Sequence, residues 1–188
     1  YTSTLNITNS SAGTVTATNT SDYVGGLVGN LLNGSISNSV YAGDISARNQ
    51  VGGLVGGLNR DGVDVDATVD IINSSASGNI VGNNDVGGLI GFVRNLNTMD
   101  FGEVGSGDSY FTGTVQGTNG VGGLVGRQFR GTINIDNNLS TTSSGSVTGV
   151  AGGKLIGGLV GQSYTSTLNI TNSSAGTVTA TNTSDYVG

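Results

Sequence analysis

The chain lacks cysteine, proline, histidine and tryptophan, and it has few aromatic and few charged residues. Without cysteine and histidine it can form no disulfide, no metal site ligated by those residues and no nucleophilic mechanism that needs a histidine base. Only 10% of its 188 residues are charged, whereas roughly 25% is typical of globular proteins. We therefore expect neither an ordinary helical domain nor an enzyme, and we predict no catalytic residue and no cofactor.

The balance of charge limits the partners of the chain. Its formal net charge is -6 and its sequence pI is about 4.1, which opposes binding to nucleic acid and to anionic membranes. No apolar run approaches the roughly 18 residues of a membrane-spanning segment. We predict neither nucleic-acid binding nor membrane insertion. The absence of cysteine fits both a reducing cytosol and an extracellular protein, so it does not indicate in which compartment the protein is found.

One long segment occurs twice. Residues 1–25 recur letter for letter as residues 164–188. The chain is thus one 163-residue unit followed by the first 25 residues of its next copy, which predicts a longer tandem array. A deliberate overlap is the alternative explanation, and it leaves the fold prediction unchanged. We treat residues 1–188 as a single array without a second domain.

A shorter repeat lies inside the unit. The segment Val24-Gly25-Gly26-Leu27-Val28-Gly29 returns with small changes at residues 51, 86, 121 and 156, at spacings of 27, 35, 35 and 35. Repeats of this size are typical of solenoids, propellers and related arrays. We call the segment the anchor, and its central pairs are Gly26 and Leu27, Gly53 and Leu54, Gly88 and Leu89, Gly123 and Leu124, and Gly158 and Leu159.

Two further columns appear when the repeats are aligned on the anchor. One column consists of five-residue segments that begin at Gly13, Gly43, Gly78, Gly113, Gly145 and Gly176. In each segment the first residue is glycine, the third is valine or isoleucine, and the fifth is alanine or glycine. Such short alternating segments between turn residues indicate strands. We predict an all-β solenoid similar to a parallel β-helix, with about three short strands per coil of 27–35 residues and about five and a half coils. Successive coils would stack about 4.8 Å apart and bury apolar columns that no single coil could bury alone.

The second column is polar and consists of Asn9, Asn38, Asn73, Asp108, Asn137 and Asn172. Amides at equivalent positions of stacked coils can hydrogen-bond from coil to coil, so we predict a structural asparagine ladder facing inward. Asp108 lacks an amide donor and should be its weakest rung. The alternative is a ligand-binding stripe, which requires the same side chains to face outward.

A second polar feature is the acidic cluster of Asp61, Asp64 and Asp66. Calcium prefers several oxygen ligands, so a weak surface calcium site is conceivable there. The cluster occurs in one coil and lacks the EF-hand spacing. A solvated acidic loop is therefore the favoured interpretation, and we predict no metal site.

The recurring anchor, with sequences VGGLVG, VGGLIG and IGGLVG, resembles the GLUG motif. Proteins with this motif carry it in arrays in large bacterial and archaeal surface proteins, including chains similar to adhesins and to filamentous haemagglutinin. The resemblance covers the whole chain and implies a secreted β-solenoid stalk or adhesin. It supplies no catalytic residues.

We therefore expect a structural, extracellular or cell-surface filament whose coils continue end to end, so that its main partner is another copy of itself. A column of stacked anchor glycines would leave a bare strip through which filaments could also contact one another laterally, but the sequence does not decide whether they do. The alternative is an adhesin stalk that binds cell-surface or glycan ligands through inserted loops at residues 59–66, 94–103 and 128–131. Those loops and their surroundings contain Arg60, Arg94, Arg127 and Arg130.

Overall fold

The computed structural model describes residues 4–58, 67–101, 108–136, 142–143, 145–171, 173–180 and 185–188. Their regular structure consists of strands, and these residues contain no helix. The strands are β1 (Leu5–Thr8), β2 (Ser11–Ala12), β3 (Asp22–Gly25), β4 (Val28–Leu31), β5 (Gly34–Ser37), β6 (Val40–Ala42), β7 (Ile45–Ser46), β8 (Asn49–Gly52), β9 (Val55–Leu58), β10 (Thr68–Ile72), β11 (Ser75–Val81), β12 (Asn84–Gly87), β13 (Ile90–Phe101), β14 (Tyr110–Gly122), β15 (Val125–Asp136), β16 (Thr142–Ser143), β17 (Ser146–Gly157), β18 (Val160–Tyr164), β19 (Thr167–Thr171), β20 (Ser174–Ala175), β21 (Val178–Ala180) and β22 (Asp185–Val187).

Each coil contributes strands to two parallel sheets. In the coil that follows the first anchor, β4 and β5 belong to the first sheet, and β6, β7 and β8 belong to the second. In a later coil the same path is made by two long strands, β13 in the first sheet and β14 in the second. All strand pairs are parallel and join residues of successive coils, for example Ile7 with Ile36 and Ile36 with Ile71. The stacking is therefore that of a solenoid.

The two sequence columns mark the two corners where the path leaves one sheet for the other. The anchor Gly-Leu pairs lie between the second sheet and the first, and the Asn-Ser pairs lie between the first and the second. Backbone hydrogen bonds continue through the anchor corner, because Gly26 N donates to Gly53 O over 3.1 Å and Leu54 N donates to Leu89 O over 2.9 Å. The coils are thus bonded to one another at the corner as well as along the strands.

Glycine is required at the anchor corner by close packing. A Cβ atom at Gly88 would overlap the carbonyl oxygen of Gly123 in the next coil and the ring of Phe111. The anchor glycines are also buried in the central coils, as at Gly53 and Gly88. In the central coils the anchor glycines therefore do not form a bare exposed strip, because neighbouring coils and core side chains cover them.

The core is a narrow stack of aliphatic side chains between the two sheets. Val51, Leu54, Leu89 and Leu124 are fully buried, whereas Leu27 in the first coil and Leu159 in the last are partly exposed. A second buried column follows the alternating segment: Ile45, Ile80, Val115 and Val147. Burying one such side chain contributes roughly 1.5–3 kcal/mol, and here that burial depends on the coils above and below.

The prediction of an all-β, parallel solenoid is confirmed. The anchor column of Val24, Val51, Val86, Val121 and Ile156 spans four turns, with parts of further turns before and after it. The coil from Val28 to Gly52 contains five short strands instead of the three expected, because a break at 32–33 interrupts the first sheet and breaks at 43–44 and 47–48 interrupt the second. Residues 94–101 and 128–131, which we expected to be inserted loops, are instead parts of β13 and β15.

Candidate functional site

The asparagines of the predicted ladder lie on the outside of their corner. Asn9, Asn38 and Asn73 have φ values of 51°, 49° and 45°, and all three are exposed. Asparagine tolerates this left-handed conformation better than most residues, so it turns the chain here while its side chain faces solvent. Asn73 Nδ2 donates to Asn38 Oδ1 over 2.7 Å. Asparagine side chains therefore do bond between coils, but on the surface. Asn137 and Asn172 lie outside the described residues.

Asp108 occupies the asparagine position of its coil. Its Oδ1 atom is buried and has no hydrogen-bond partner among the described residues. An ionised carboxylate has no hydrogen to donate to another rung. The expectation that Asp108 is the weakest rung stays a prediction, and residues 102–107 beside it lie outside the described part of the chain.

The inward ladder is made by the serines that follow Asn38, Asn73 and Asp108. Ser39, Ser74 and Ser109 are at most 1% exposed. The amide of Ser39 donates to Ser74 Oγ over 3.1 Å, and the amide of Ser74 donates to Ser109 Oγ over 3.3 Å. The hydroxyl of Ser74 in turn donates to Ile72 O over 2.8 Å. The repeated Asn-Ser pair is visible in the sequence. The inward-outward alternation of side chains along a strand does not predict which residue of the pair faces inward, because the asparagine is in the left-handed conformation and interrupts that alternation.

A second side-chain ladder lies two residues before each of the first four anchors, at Asp22, Asn49, Asn84 and Asn119, and it was not among the sequence predictions. Asn49 Nδ2 donates to Asp22 Oδ1 over 3.0 Å, Asn84 Nδ2 donates to Asn49 Oδ1 over 2.7 Å, and Asn119 Nδ2 donates to Asn84 Oδ1 over 2.9 Å. The signal was an Asx residue at a constant distance from the anchor. The residues that follow these four rungs, Tyr23, Gln50, Asp85 and Gly120, are all in the left-handed region. Leu155 and Tyr186, at the equivalent positions of the last two coils, share this conformation.

Asp85 in that left-handed column is a buried carboxyl group. Its oxygens accept hydrogen bonds from Gln50 Nε2 over 2.9 Å and from Arg127 Nη1 over 3.4 Å. Only 4% of the residue is exposed, and this desolvation raises its pKa, while the contacts with Gln50 and Arg127 oppose the rise. Asp85 joins the left-handed column of one coil to the first sheet of the next.

Arginine and aromatic side chains gather on the outer face of the first sheet, a feature that we call the arginine-aromatic face. It consists of Phe92, Arg94, Arg127, Phe129, Arg130 and Tyr164. Register places Phe92 beside Arg127, and it places Phe129 between Arg94 and Tyr164. The sequence signal was an offset of six or eight residues from the first residue of an anchor, which all of them except Arg130 share and which an assignment to loops concealed.

The remaining predicted sites have a simpler outcome. Asp61, Asp64 and Asp66 lie outside the described residues, so the calcium hypothesis stays untested. Among the residues that the structure describes, no group of three or more acidic side chains is placed to hold a metal ion. Within the same residues, no helix is long and apolar enough to span a membrane.

The two ends of the solenoid contain the same sequence in complementary positions. Near the start, Ile7 in β1 pairs with Ile36 of the following coil. Its equivalent Ile170 in β19 pairs with Ile135 of the preceding coil. The same relation holds in the second sheet, where Ala12 pairs forward with Tyr41 and Ala175 pairs backward with Ser143. Each copy of the segment therefore uses a different one of its two edges.

Comparisons with protein-family models, with curated proteins and with solved structures gave no match to this chain. The similarity of its anchor to the GLUG motif therefore stays a prediction.

Proposed function

We propose that this chain is a structural part of an extracellular filament in which the solenoid continues without a break from one 163-residue unit into the next. The observation that carries the proposal is the identical segment of residues 1–25 and 164–188, which pairs forward in one copy and backward in the other. A segment that bonds through both edges can be shared by two consecutive units.

The backbone supports continuity at this segment. In one copy, Leu5 N donates to Asn33 O over 2.9 Å, and Val24 pairs with Val51. In the other copy, Val187, the equivalent of Val24, pairs with Ile156. An internal copy of the segment would carry both sets of pairs, and neither of its strand edges would be left open to solvent.

Side chains support the same continuity. Asn169 Nδ2 donates to Asn134 Oδ1 of the preceding coil over 2.8 Å. Its equivalent Asn6 accepts through Oδ1 from the amide of Ser35 in the following coil over 3.1 Å. The two bonds use different atoms of one amide, so an internal copy can make both at once. Hydrogen bonds would then run from Ser35 of the next unit to the shared asparagine, and from that asparagine to Asn134 of the preceding unit.

The extracellular assignment rests on the resemblance of the anchor. The absence of cysteine is compatible with it but fits a reducing compartment equally well. Proteins with GLUG-like anchors are surface proteins, as the resemblance implies. Antibody labelling of intact source cells tests this point directly. Labelling that requires cell lysis would contradict it.

The filament proposal is tested with chains of one, two and three units, each closed by the 25-residue segment. Five coils at about 4.8 Å predict that every added unit lengthens the rod by about 24 Å. Small-angle scattering and electron microscopy should show a constant cross-section. A chain without residues 164–188 is the matched control for the role of the shared segment at the end.

Two results would contradict the proposal. Rods that bend or separate into independent bodies at each junction would show that the segment does not continue the solenoid. A length increment far from 24 Å, which is the value expected from about 4.8 Å per coil, would show that the coils do not keep the stacking seen within one unit.

A further inference from the structure

The arginine-aromatic face concentrates positive charge on an acidic chain. Arg94, Arg127 and Arg130 are three of its six basic residues, and the net charge of the whole chain is -6. Tyr164 is 54% exposed, and the side chain of Arg127 is 38% exposed. A surface of this sign on a chain of the opposite sign is complementary to an anionic ligand.

Contacts within the face hold its groups in place. Arg127 Cζ lies 5.2 Å from the centroid of the Phe92 ring, and Arg130 Cζ lies 5.1 Å from that of Phe129. The rings of Phe129 and Tyr164 stack at 5.7 Å with an interplanar angle of 13°. Cation-π and stacking contacts of this kind restrict the side chains before any ligand arrives, which reduces the entropy lost on binding.

Two adjoining grooves provide room for a chain-like ligand. One has a volume of about 270 Å³ and is lined by Phe92, Arg94, Arg127 and Phe129. The other has a volume of about 340 Å³, and its lining includes Asn95, Asn97 and Arg130. Guanidinium groups and side-chain amides thus lie beside aromatic ring faces along the same stretch of surface.

We propose that the arginine-aromatic face binds an acidic polysaccharide. Sugar rings present apolar faces that pack against the exposed ring of Tyr164, because the Phe129 ring is in contact with Tyr164 and Arg130. Carboxylate or sulfate groups of the sugars accept paired hydrogen bonds from guanidinium groups, for which the planar fork of arginine is suited. Arg130 is the principal anion-binding residue, because Arg127 is partly engaged by Asp85 over 3.4 Å.

A nucleic acid is a poorer occupant than an acidic sugar. A single strand also stacks its bases on aromatic rings, but its affinity depends on a groove of positive charge that follows the phosphate backbone. Here the basic face is short, and Asp100 lies on the same sheet, where it accepts from Asn134 Nδ2 over 2.6 Å.

The test measures binding of the 188-residue chain to four oligomers by calorimetry. They are a hexamer of galacturonic acid, a heparin hexasaccharide, neutral cellohexaose and a ten-nucleotide oligothymidylate. We expect one or both acidic sugars to bind with a Kd in the millimolar range or below, and to bind more weakly as salt rises. The first two arms distinguish a carboxylated from a sulfated ligand.

Variants connect the binding to the face. Arg130→Asn keeps a residue that tolerates the left-handed φ of 60°, and Tyr164→Ser removes one exposed ring. Each should raise the Kd for the acidic sugar about tenfold, which is the effect of losing about 1.4 kcal/mol. Arg48→Ala, which removes an arginine paired with Asp22 on the other sheet, is the matched control and should leave the Kd unchanged. Circular dichroism checks that each variant folds.

Four results would overturn the proposal: no binding of either acidic sugar, equal binding of cellohexaose, tighter binding of oligothymidylate, or an unchanged Kd in both face variants while they remain folded. None of these results bears on the rod-length test of the filament, so the two proposals fail separately.

Discussion

The two copies of the repeated segment differ in which residues are covered, although their sequences are identical. Leu5 is 44% exposed, whereas its equivalent Leu168 is partly buried. Two residues further along, the relation is reversed, since Ile170 is 43% exposed whereas its equivalent Ile7 is partly buried. Burial in this fold is therefore a property of a residue together with both neighbouring coils.

The central coils show what happens when both neighbours are present. Ile36, Ile71 and Val115 have 0% exposure, whereas Val15 and Val178, which belong to the same column as Val115, are partly exposed. At an end of the solenoid, the core side chains are therefore covered by a neighbouring coil on one side only. A given substitution should cost more in the centre than at an end.

The largest effect is expected for a charge in the core. Val115→Asp places a carboxyl group among fully buried aliphatic residues, and we expect a loss of about 4 kcal/mol because nothing there can pair with it. Val178→Asp is the matched end variant and should cost about 1–2 kcal/mol, because water reaches that position. Urea unfolding measures both. Equal losses would refute the distinction between centre and end.

A smaller effect is expected at the anchor corner. Gly88→Ala forces a methyl group against Gly123 O and the Phe111 ring, and overpacking of this kind should cost about 2–3 kcal/mol. Gly13→Ala, near the start of the chain, meets no atom within 4 Å and should change stability by less than about 0.5 kcal/mol. Thermal unfolding of the two variants gives the comparison. A stable Gly88→Ala variant would show that the corner is not close-packed.

The serine ladder should respond less strongly. Ser74→Ala removes the acceptor of the Ser39 amide and leaves that buried N–H without its partner, at a cost of about 1–2 kcal/mol. Ser10 is its counterpart in the first coil, where its hydroxyl donates to Thr8 O over 3.0 Å in an exposed bond. Ser10→Ala should cost less than about 0.5 kcal/mol. Faster amide exchange at Ser39 in Ser74→Ala would identify the broken rung, and unchanged exchange would argue against the ladder.

The smallest effect is a difference in pH dependence between two carboxyl groups. Burial raises the pKa of Asp85 above its ordinary value of 3.8, so its contribution to stability is present below that value and is lost as pH rises through the raised pKa. The hydrogen bond from Arg48 lowers the pKa of Asp22, near the end of the solenoid. The contribution of Asp22 is therefore present above 3.8 and is lost as pH falls through the lowered pKa.

The variants Asp85→Asn and Asp22→Asn isolate these two contributions. Relative to the unmodified chain, Asp85→Asn should gain in unfolding midpoint as pH rises from acid to neutral, and Asp22→Asn should lose. Urea titrations at several pH values measure both differences. Slopes of the same sign would show that the buried and the exposed carboxyl groups do not differ as described.

Much of the fold could be predicted because the repeats supply their own register. The anchor brings Val24, Val51 and Val86 into one column, and stacking then determines a parallel solenoid. The direction of a side chain beside a turn could not be predicted in the same way. Asn38 faces solvent and Ser39 faces inward because Asn38 has a positive φ, which breaks the alternation of a strand.

The arginine-aromatic face shows a second limit. The sequence alone assigns Arg94 and Gln128 to insertions, because their coils are longer than the 27-residue coil. The added residues in fact lengthen β13 and β15, and the pairing of Arg94 with Phe129 across two coils depends on that extension. Left-handed residues such as Tyr23 and Leu155 had no local signal either, since tertiary stacking imposes this conformation on residue types that disfavour it.

The most direct test of a continuous solenoid is electron cryomicroscopy of the protein in its native preparation. We expect a filament with layers about 4.8 Å apart and an axial repeat of about 24 Å, which corresponds to five coils per unit. Discrete short rods without a repeating axial rise would contradict the continuation of the solenoid through the shared segment.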